Sequence, residues 1–257
     1  MRVVHVIDDL GLGGAQRQLG ELLKAAPRGD LHLEVISLST CKVACAPVLQ
    51  GAGIPVTCIA QAGRWSWTTL FKLWKALRRA RPDIVHTWLF TASLYGRLAA
   101  WLAGVPVILS AIRSVEPDKP AHYVAADRLL RCVTDAYTVN AKAVSEMLMT
   151  RERVDPRKVH TVYNGVDLGT FDPARVDGEM RQSLGIDAGA TVIGIVGRLA
   201  PVKDHATFLR AAATVSPSAP TARFLIVGSG PLEEALGRLV RELRIEPQVS
   251  FVSDRTN

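Results

Sequence analysis

The sequence predicts an α/β protein made of two doubly wound parallel units, the second of them incomplete. Three observations predict it. Short runs rich in Val and Ile alternate with helix-length segments along most of the 257 residues. The runs are too continuously apolar to keep a solvated face, which marks parallel strands covered on both sides. The alternation breaks once, from Asn164, in a stretch rich in Gly, Asp and Pro, and then resumes.

In order, strands are expected at "RVVHVI", "LHLEVISLS", "PVTCIA", "DIVHTW", "PVILSAI", "AYTVN" and "KVHTVY". Helices are expected near 15–25, 43–52, 68–80, 92–103, 121–132 and 141–151. This first domain, residues 1–163, should carry its ligand at the carboxyl ends of its strands, where such sheets open a crevice. Residues 164–190 have the composition of a connector. A second α/β pattern occupies 191–257: strand "TVIGIVG", which reads as buried, a helix from about Asp204, strand "RFLIVGSG", a helix from about Pro231, and strand "VSFV". Three strands are fewer than a doubly wound sheet usually has, so this domain reads as unfinished.

Composition bounds the function. At 48% hydrophobic and 21% charged, the chain can bury a sizeable core. Lys plus Arg (31) exceed Asp plus Glu (24), giving a net charge of +7 and a surface that attracts anions. Charge alone does not separate phosphorylated substrates, lipids and nucleic acid. The cysteines, Cys41, Cys45, Cys58 and Cys132, have no metal-ligand spacing and read as reduced thiols of a cytoplasmic protein. The run Val3–Ile7 is too short for a signal peptide. "LAAWLAGVPVIL" (98–109) is too short to span a bilayer and is broken by Gly104 and Pro106.

The stretch "DDLGLGGAQRQL" (8–19) crowds glycines between a strand and a helix, where a ligand can approach bare backbone. A dinucleotide fingerprint fits at Gly11 and Gly13 but meets Gln16 at its third position, and no acid ends the second strand. A phosphate on the amides of Gly13 and Gly14 remains open, against a turn that serves packing alone. "VGRLAPVK" (196–203) sets Arg198 and Lys203 at the mouth of another strand, where a planar fork and a point charge suit a pyrophosphate. They could stabilise a leaving diphosphate without a metal; the bland alternative is a solvated basic turn. His86 stands near the carboxyl end of a central strand, where catalytic side chains often lie, or is a satisfied structural histidine; Arg113 and Asn140 end strands on the same rim, as substrate ligands or as loop fasteners. "RWSWTTLFKLWKALRRARP" (64–82) is a basic amphipathic helix with Lys72, Lys75, Arg78 and Arg79 on its polar side. It suits an anionic membrane surface, or simply a sheet-covering helix.

The ordered set "GGAQR", "PDIVHT…GRLAA", "NGVD" and "GRLAPVKDH" resembles glycosyltransferase family 4 over nearly the whole chain. The resemblance implies a GT-B-like fold of two Rossmann-like domains. It also implies retaining transfer of a sugar from a nucleoside-diphosphate donor to an acceptor hydroxyl, in cell-envelope or exopolysaccharide synthesis. Gly13, Gly14, Arg198 and Lys203 would hold the donor phosphates, with Arg198 and Lys203 catalytic. Gln16, His86, Arg113 and Asn140 become acceptor-side candidates. No metal and no cofactor is expected, the sugar nucleotide being substrate, and Asp8–Asp9 is then no metal motif. The partners implied are the donor and a glycan or lipid-linked acceptor, with an anionic membrane surface as a candidate and no nucleic acid.

Two features depart from the family pattern. Trp88 and Thr91 stand where many relatives carry a further histidine after the one matching His86. The family's glutamate-rich signature does not follow "VSFVSDRTN", so the chain reads as a fragment of low activity. The competing readings are a nicotinamide-dependent oxidoreductase and a non-enzymatic membrane-surface or carbohydrate-binding remnant.

Overall fold

The computed structural model describes residues 1–11, 13–27, 29–40, 49–60, 66–115, 119–172, 174 and 179–253. Most of the expected helix at 43–52, the Arg64–Trp65 start of the basic segment and residues 254–257 lie outside them. The chain divides into two compact units, Met1–Phe171 and Asp172–Asn257.

The first unit is a seven-stranded sheet of β1 (Arg2–Ile7), β2 (His32–Ser37), β3 (Val56–Cys58), β4 (Ile84–Trp88), β5 (Val107–Ile112), β6 (Ala136–Val139) and β7 (Val159–Thr161). Their order is β3-β2-β1-β4-β5-β6-β7, and every pairing is parallel. The order reverses between β1 and β4, which is where a doubly wound sheet opens its crevice. β1 is buried on both faces from Val3 to Ile7, as its unbroken apolar run required.

Helices cover both faces. α1 (Gly14–Ala25) buries Leu19 and Leu23, which pack with Ile7, Val35 and Ile54. α2 (Trp67–Ala80) buries Leu70, Leu73 and Leu77 at helical spacing against Val4, Val6 and Val85. It starts on a Ser66 side-chain cap to Thr69 N–H (3.2 Å) and ends at Arg81 in the left-handed conformation, with Pro82 behind it. α3 (Phe90–Ala103) is buried nearly all round and sits at the centre of its layer. α4 (Ala121–Leu130) and α5 (Lys142–Thr150) complete the unit; a 3₁₀ turn over Arg131–Val133 replaces the last turn expected of α4.

One buried charge network joins these helices. Arg97, wholly buried in α3, pairs with Asp127 of α4; Lys119 also pairs with Asp127 and reaches Glu152 at 2.7 Å.

The second unit has three parallel strands, β8 (Val192–Val196), β9 (Arg223–Val227) and β10 (Val249–Val252), in the order β10-β9-β8. A one-turn helix α6 (Glu179–Ser183) precedes them. α7 (His205–Val215) and α8 (Glu233–Leu243) pack Leu209, Leu236 and Val240 on Phe224 and Ile226. The expectation of a buried β8 is corrected. Among the described residues β8 pairs only with β9, and Val196 is 79% exposed.

The expectation of four reduced thiols is also corrected. Cys58, at the end of β3, is disulfide-bonded, while Cys132 is free and exposed. A disulfide needs two Cα atoms within about 7 Å, a tertiary condition that spacing along the chain does not reveal.

Candidate functional site

Two candidate sites can be built from the residues upward, one in each unit. In the first, β1 runs out at Ile7 and the two aspartates that follow take up separate structural work. Asp8 accepts from the amides of Thr91 (3.2 Å) and Ala92, and so caps α3 from a distant part of the chain. Burial pushes its carboxyl up to about 6, against those two amides, which favour the carboxylate. Leu89, just before that helix, holds a positive φ of 68°.

Asp9 accepts from Gly11 N–H at 2.8 Å and from the Gln16 side-chain amide at 3.0 Å. Gln16 is therefore buried and fastened to the turn. A Cβ on Gly13 would stand 2.3 Å from Gln16 Oε1, so a side chain here would push the Gln16 amide from its place against Asp9. At Gly14 nothing lies within 4 Å of the same point. α1 begins there on a glycine cap with no side-chain hydrogen bond and no acid in its first turn. Its amides and partial positive charge are open to an anion.

Behind this turn lies a cluster that the sequence marks only by a histidine inside an apolar strand. His5 faces His86 across the β1–β4 pairing, with ring centroids 5.3 Å apart. Trp88 Nε1–H donates to His5 Nδ1 at 3.1 Å, and His86 Nε2 meets Thr138 Oγ1 at 3.0 Å. Both histidines are buried. Burial holds His5 down at about 4; burial, then His5 and Arg113, holds His86 well below its usual value. His86 is thus a neutral, hydrogen-bonded core group in this structure.

Arg113 lies over the Trp88 ring at 5.2 Å and donates to Asn164 of "NGVD". Burial lowers its pKa. A cavity of about 60 Å³ lies beside it, lined by Phe90, Ser93, Ser114, Lys119 and Asp127 among others. Gln18, which sequence reasoning passed over, clamps the next residue of that loop. Its amide donates to Gly165 O at 2.7 Å and accepts from Gly165 N–H at 2.9 Å. Asn140 Oδ1 is buried without a hydrogen-bond partner among the described residues.

In the second unit, β8 ends at Gly197 N–H bonded to Val227 O, and the next turn interlocks with the end of β9. A Cβ on Gly228 would fall 2.2 Å from Gly197 O, and one on Gly230 would fall 2.5 Å from Leu199 O. The glycines of "VGSGP" thus let the "GRLAP" turn lie against them; Leu199 N–H donates to Ser229 O and Leu199 O accepts from Leu232 N–H. Arg198 stands on this braced turn. The Lys203 stem passes over Gly197, with Cγ and Cδ 3.9 Å from where a Cβ would be. Asp204 then caps α7 through Thr207 N–H. Neither Arg198 nor Lys203 has an ion-pair partner among the described residues.

Within the first unit, Gln16, Arg113 and His86 thus each spend polar atoms on internal bonds. Among the described residues the Arg198 and Lys203 side chains have no ion pair, and the space where a Gly14 Cβ would stand is empty. Among the described residues no group of three or more His, Cys, Asp or Glu side chains could hold a metal, and no helix is long and apolar enough to cross a membrane.

The two-sheet architecture is that of the GT-B glycosyltransferases. HepE of Anabaena, in complex with UDP, superposes with a TM-score of 0.80 at 19% identity, over 100% of this chain and 70% of HepE. The lipopolysaccharide outer core galactosyltransferase WaaB gives 0.67 at 19% identity, over 100% of this chain and 69% of its own.

The family models agree with the fold. Glycosyltransferase Family 4 matches residues 12–170, and Glycosyl transferases group 1 matches residues 176–256. The chain belongs to glycosyltransferase family 4. Among curated relatives, the UDP-Gal:alpha-D-GlcNAc-diphosphoundecaprenol alpha-1,3-galactosyltransferase of Escherichia coli is 32% identical over 64% of this chain and 45% of its own length. The D-inositol 3-phosphate glycosyltransferase of Rhodococcus erythropolis is 33% identical over 66% of this chain and 42% of its own. The chain thus spans less than half the length of these curated relatives.

Proposed function

We propose that this chain serves a retaining glycosyltransferase, which moves a sugar from a nucleoside-diphosphate donor to an acceptor hydroxyl in cell-envelope or exopolysaccharide synthesis. The observation that carries the proposal is a pair of cations, Arg198 and Lys203, without an ion pair among the described residues, on a glycine-braced turn at the end of β8. As the bond from sugar to diphosphate breaks, negative charge collects on the leaving group. A fixed guanidinium fork and an ammonium stabilise that charge without a metal or cofactor.

In the first unit, the start of α1 at Gly13 and Gly14, with no acid in its first turn, offers a phosphate contact of its own. Gln16, His86, Arg113 and Asn140 shape the acceptor side, with Gln16 and Arg113 holding loops and the uncommitted Asn140 Oδ1 offering an acceptor atom. Support from relatives is twofold: HepE has been crystallised with UDP and with UDP-glucose, and the Escherichia coli relative is named for a UDP-Gal donor and a diphosphoundecaprenol acceptor. A peripheral seat on an anionic membrane, through the segment 64–82, belongs to this reading.

Calorimetric titration with nucleoside diphosphates, and with NADH as the competing ligand, tests it. Nucleoside diphosphate should bind and NADH should not. Arg198→Ala with Lys203→Ala should weaken binding by at least about tenfold, since charge-assisted hydrogen bonds contribute about 1.5–3 kcal/mol each. Gly14→Ala should weaken it too while leaving the melting temperature intact, because its Cβ meets no protein atom. Undiminished binding by the double variant would overturn the donor site.

A further inference from the structure

The chain after β7 runs under two restraints of different chemistry. Gln18 of α1 bonds both the N–H and the carbonyl of Gly165 through its neutral side-chain amide. One residue earlier, Asn164 Oδ1 accepts from the Arg113 guanidinium, which stands just past the end of β5. Asn164 is exposed and Arg113 is half-buried.

The surroundings of Arg113 use little of what it offers. A guanidinium carries five N–H donors in a planar fork. Among the described residues this one makes a single hydrogen bond, to Asn164, and no ion pair. The buried network beside it supplies no counter-charge, because Arg97 and Lys119 there already meet Asp127 and Glu152. Its other contact is the Trp88 ring, with the centroid 5.2 Å away. The cavity of about 60 Å³ beside the fork, lined by Arg113, Ser93, Lys119 and Phe90, has room for one phosphate-sized group. On the connector side a larger cavity of about 620 Å³, bordered by Arg113, Tyr163 and Gly165, opens the same side chain to solvent.

An anion acts on the two restraints differently. It gains nothing at Gln18, where a neutral amide meets backbone. At Arg113 a full charge is set against a neutral amide oxygen, and a phosphate offers the same fork two charged oxygens at once. The attraction of a cation to a ring face is electrostatic, so Trp88 can keep the guanidinium while it changes partner.

We infer that the Arg113–Asn164 hydrogen bond is an anion-operated latch: a phosphate group entering beside β5 takes the guanidinium from Asn164 and frees the chain there, while Gln18 keeps hold of Gly165. The inference rests on the reading of Arg113 as an acceptor-side residue and gives that residue a second duty. Linkage makes the effect reciprocal, so whatever removes the competition from Asn164 must tighten the anion.

The test uses inorganic phosphate as probe and the Arg198→Ala, Lys203→Ala chain as background, so that the proposed donor cations take no part. Calorimetric titration should show binding that Arg113→Met abolishes and Asn164→Ala tightens by about fivefold. Chymotrypsin, read by mass spectrometry, should cut after the exposed Tyr163 at least about threefold faster in phosphate than in chloride of equal ionic strength, since cleavage follows the population of the opened chain. In Asn164→Ala that cut should be fast from the outset and unmoved by phosphate. If Arg113→Met misfolds, Arg113→Lys keeps the charge without the fork and should weaken phosphate binding in its place.

No phosphate binding, or equal or weaker binding by Asn164→Ala, would overturn the latch. So would binding that survives in Arg113→Met, which would put the anion at the start of α1, and so would cleavage after Tyr163 that ignores phosphate. Nucleoside diphosphate binding by the parent chain is read separately: its absence overturns the donor site alone, and a latch that fails leaves that site standing.

Discussion

At the scale of single residues, the buried titratable groups behind the glycine turn set a pH dependence with two opposing parts. His5, held at about 4, and His86, held well below its usual value, stay neutral in the fold, while unfolded histidines take up protons below about 6.5. Their contribution is intact above that value and is lost as pH falls toward 4. Asp8 has the opposite sign. Its carboxyl titrates at about 6 in the fold against 3.8 as a free side chain, so protonation between those values favours the folded state. In the parent the two trends partly cancel. Asp8→Asn removes the offset, and its urea midpoint should fall more steeply than the parent's between pH about 7 and about 4.5. A shallower fall would contradict this assignment. Little of it was legible beforehand, because the partners of Asp8 and His5, Ala92 and Trp88, lie more than 80 residues away.

At the scale of elements, α3 and α4 are joined by charge rather than by packing alone. Arg97 is wholly buried and bonded to Ser93 O, Tyr137 and Asp127. Removing one partner of such a pair leaves an uncompensated charge out of water. Asp127→Ala should therefore cost about 3–5 kcal/mol in denaturant unfolding. Arg97→Met combined with Asp127→Leu should cost clearly less, with Lys119 keeping Glu152 as its partner. Equal losses would show that the pair acts only as filler.

The elements themselves were readable, because a parallel strand needs an unbroken apolar run and a covering helix needs one apolar stripe. The residues proposed to meet phosphate were selected on the same local ground: Gly14, Arg198 and Lys203 follow closely on a strand end. Gln18 was not, since the loop it clamps lies 147 residues away. The glycines of "VGSGP" were visible, but their purpose, making room for the Gly197 and Leu199 carbonyls, belongs to the meeting of two strands.

At the scale of the whole molecule, the two units and their order follow from a single change in composition, and both family models divide the chain near the same place, between residues 170 and 176. What composition did not convey is redox state. With Cys58 disulfide-bonded, reduction should lower the stability of the first unit by about 2–4 kcal/mol, the usual worth of such a cross-link. Melts with and without reductant, followed on the Cys132→Ser variant to exclude exchange through the free thiol, give the answer. Coincident melts would return Cys58 to the role of a plain β3 residue.

The chain does not leave the first unit where its last strand ends. Asn164 is held by Arg113, Gly165 by both amide atoms of Gln18, and Phe171 by the Arg17 guanidinium 5.2 Å above its ring. Two of these fasteners, Arg17 and Gln18, are neighbours on α1, the helix whose first turn is proposed to meet the donor. A pull on the connector would thus be felt at that helix before it reached the sheet. The ten residues after Thr161 act as a strap, buckled to α1 and to the end of β5.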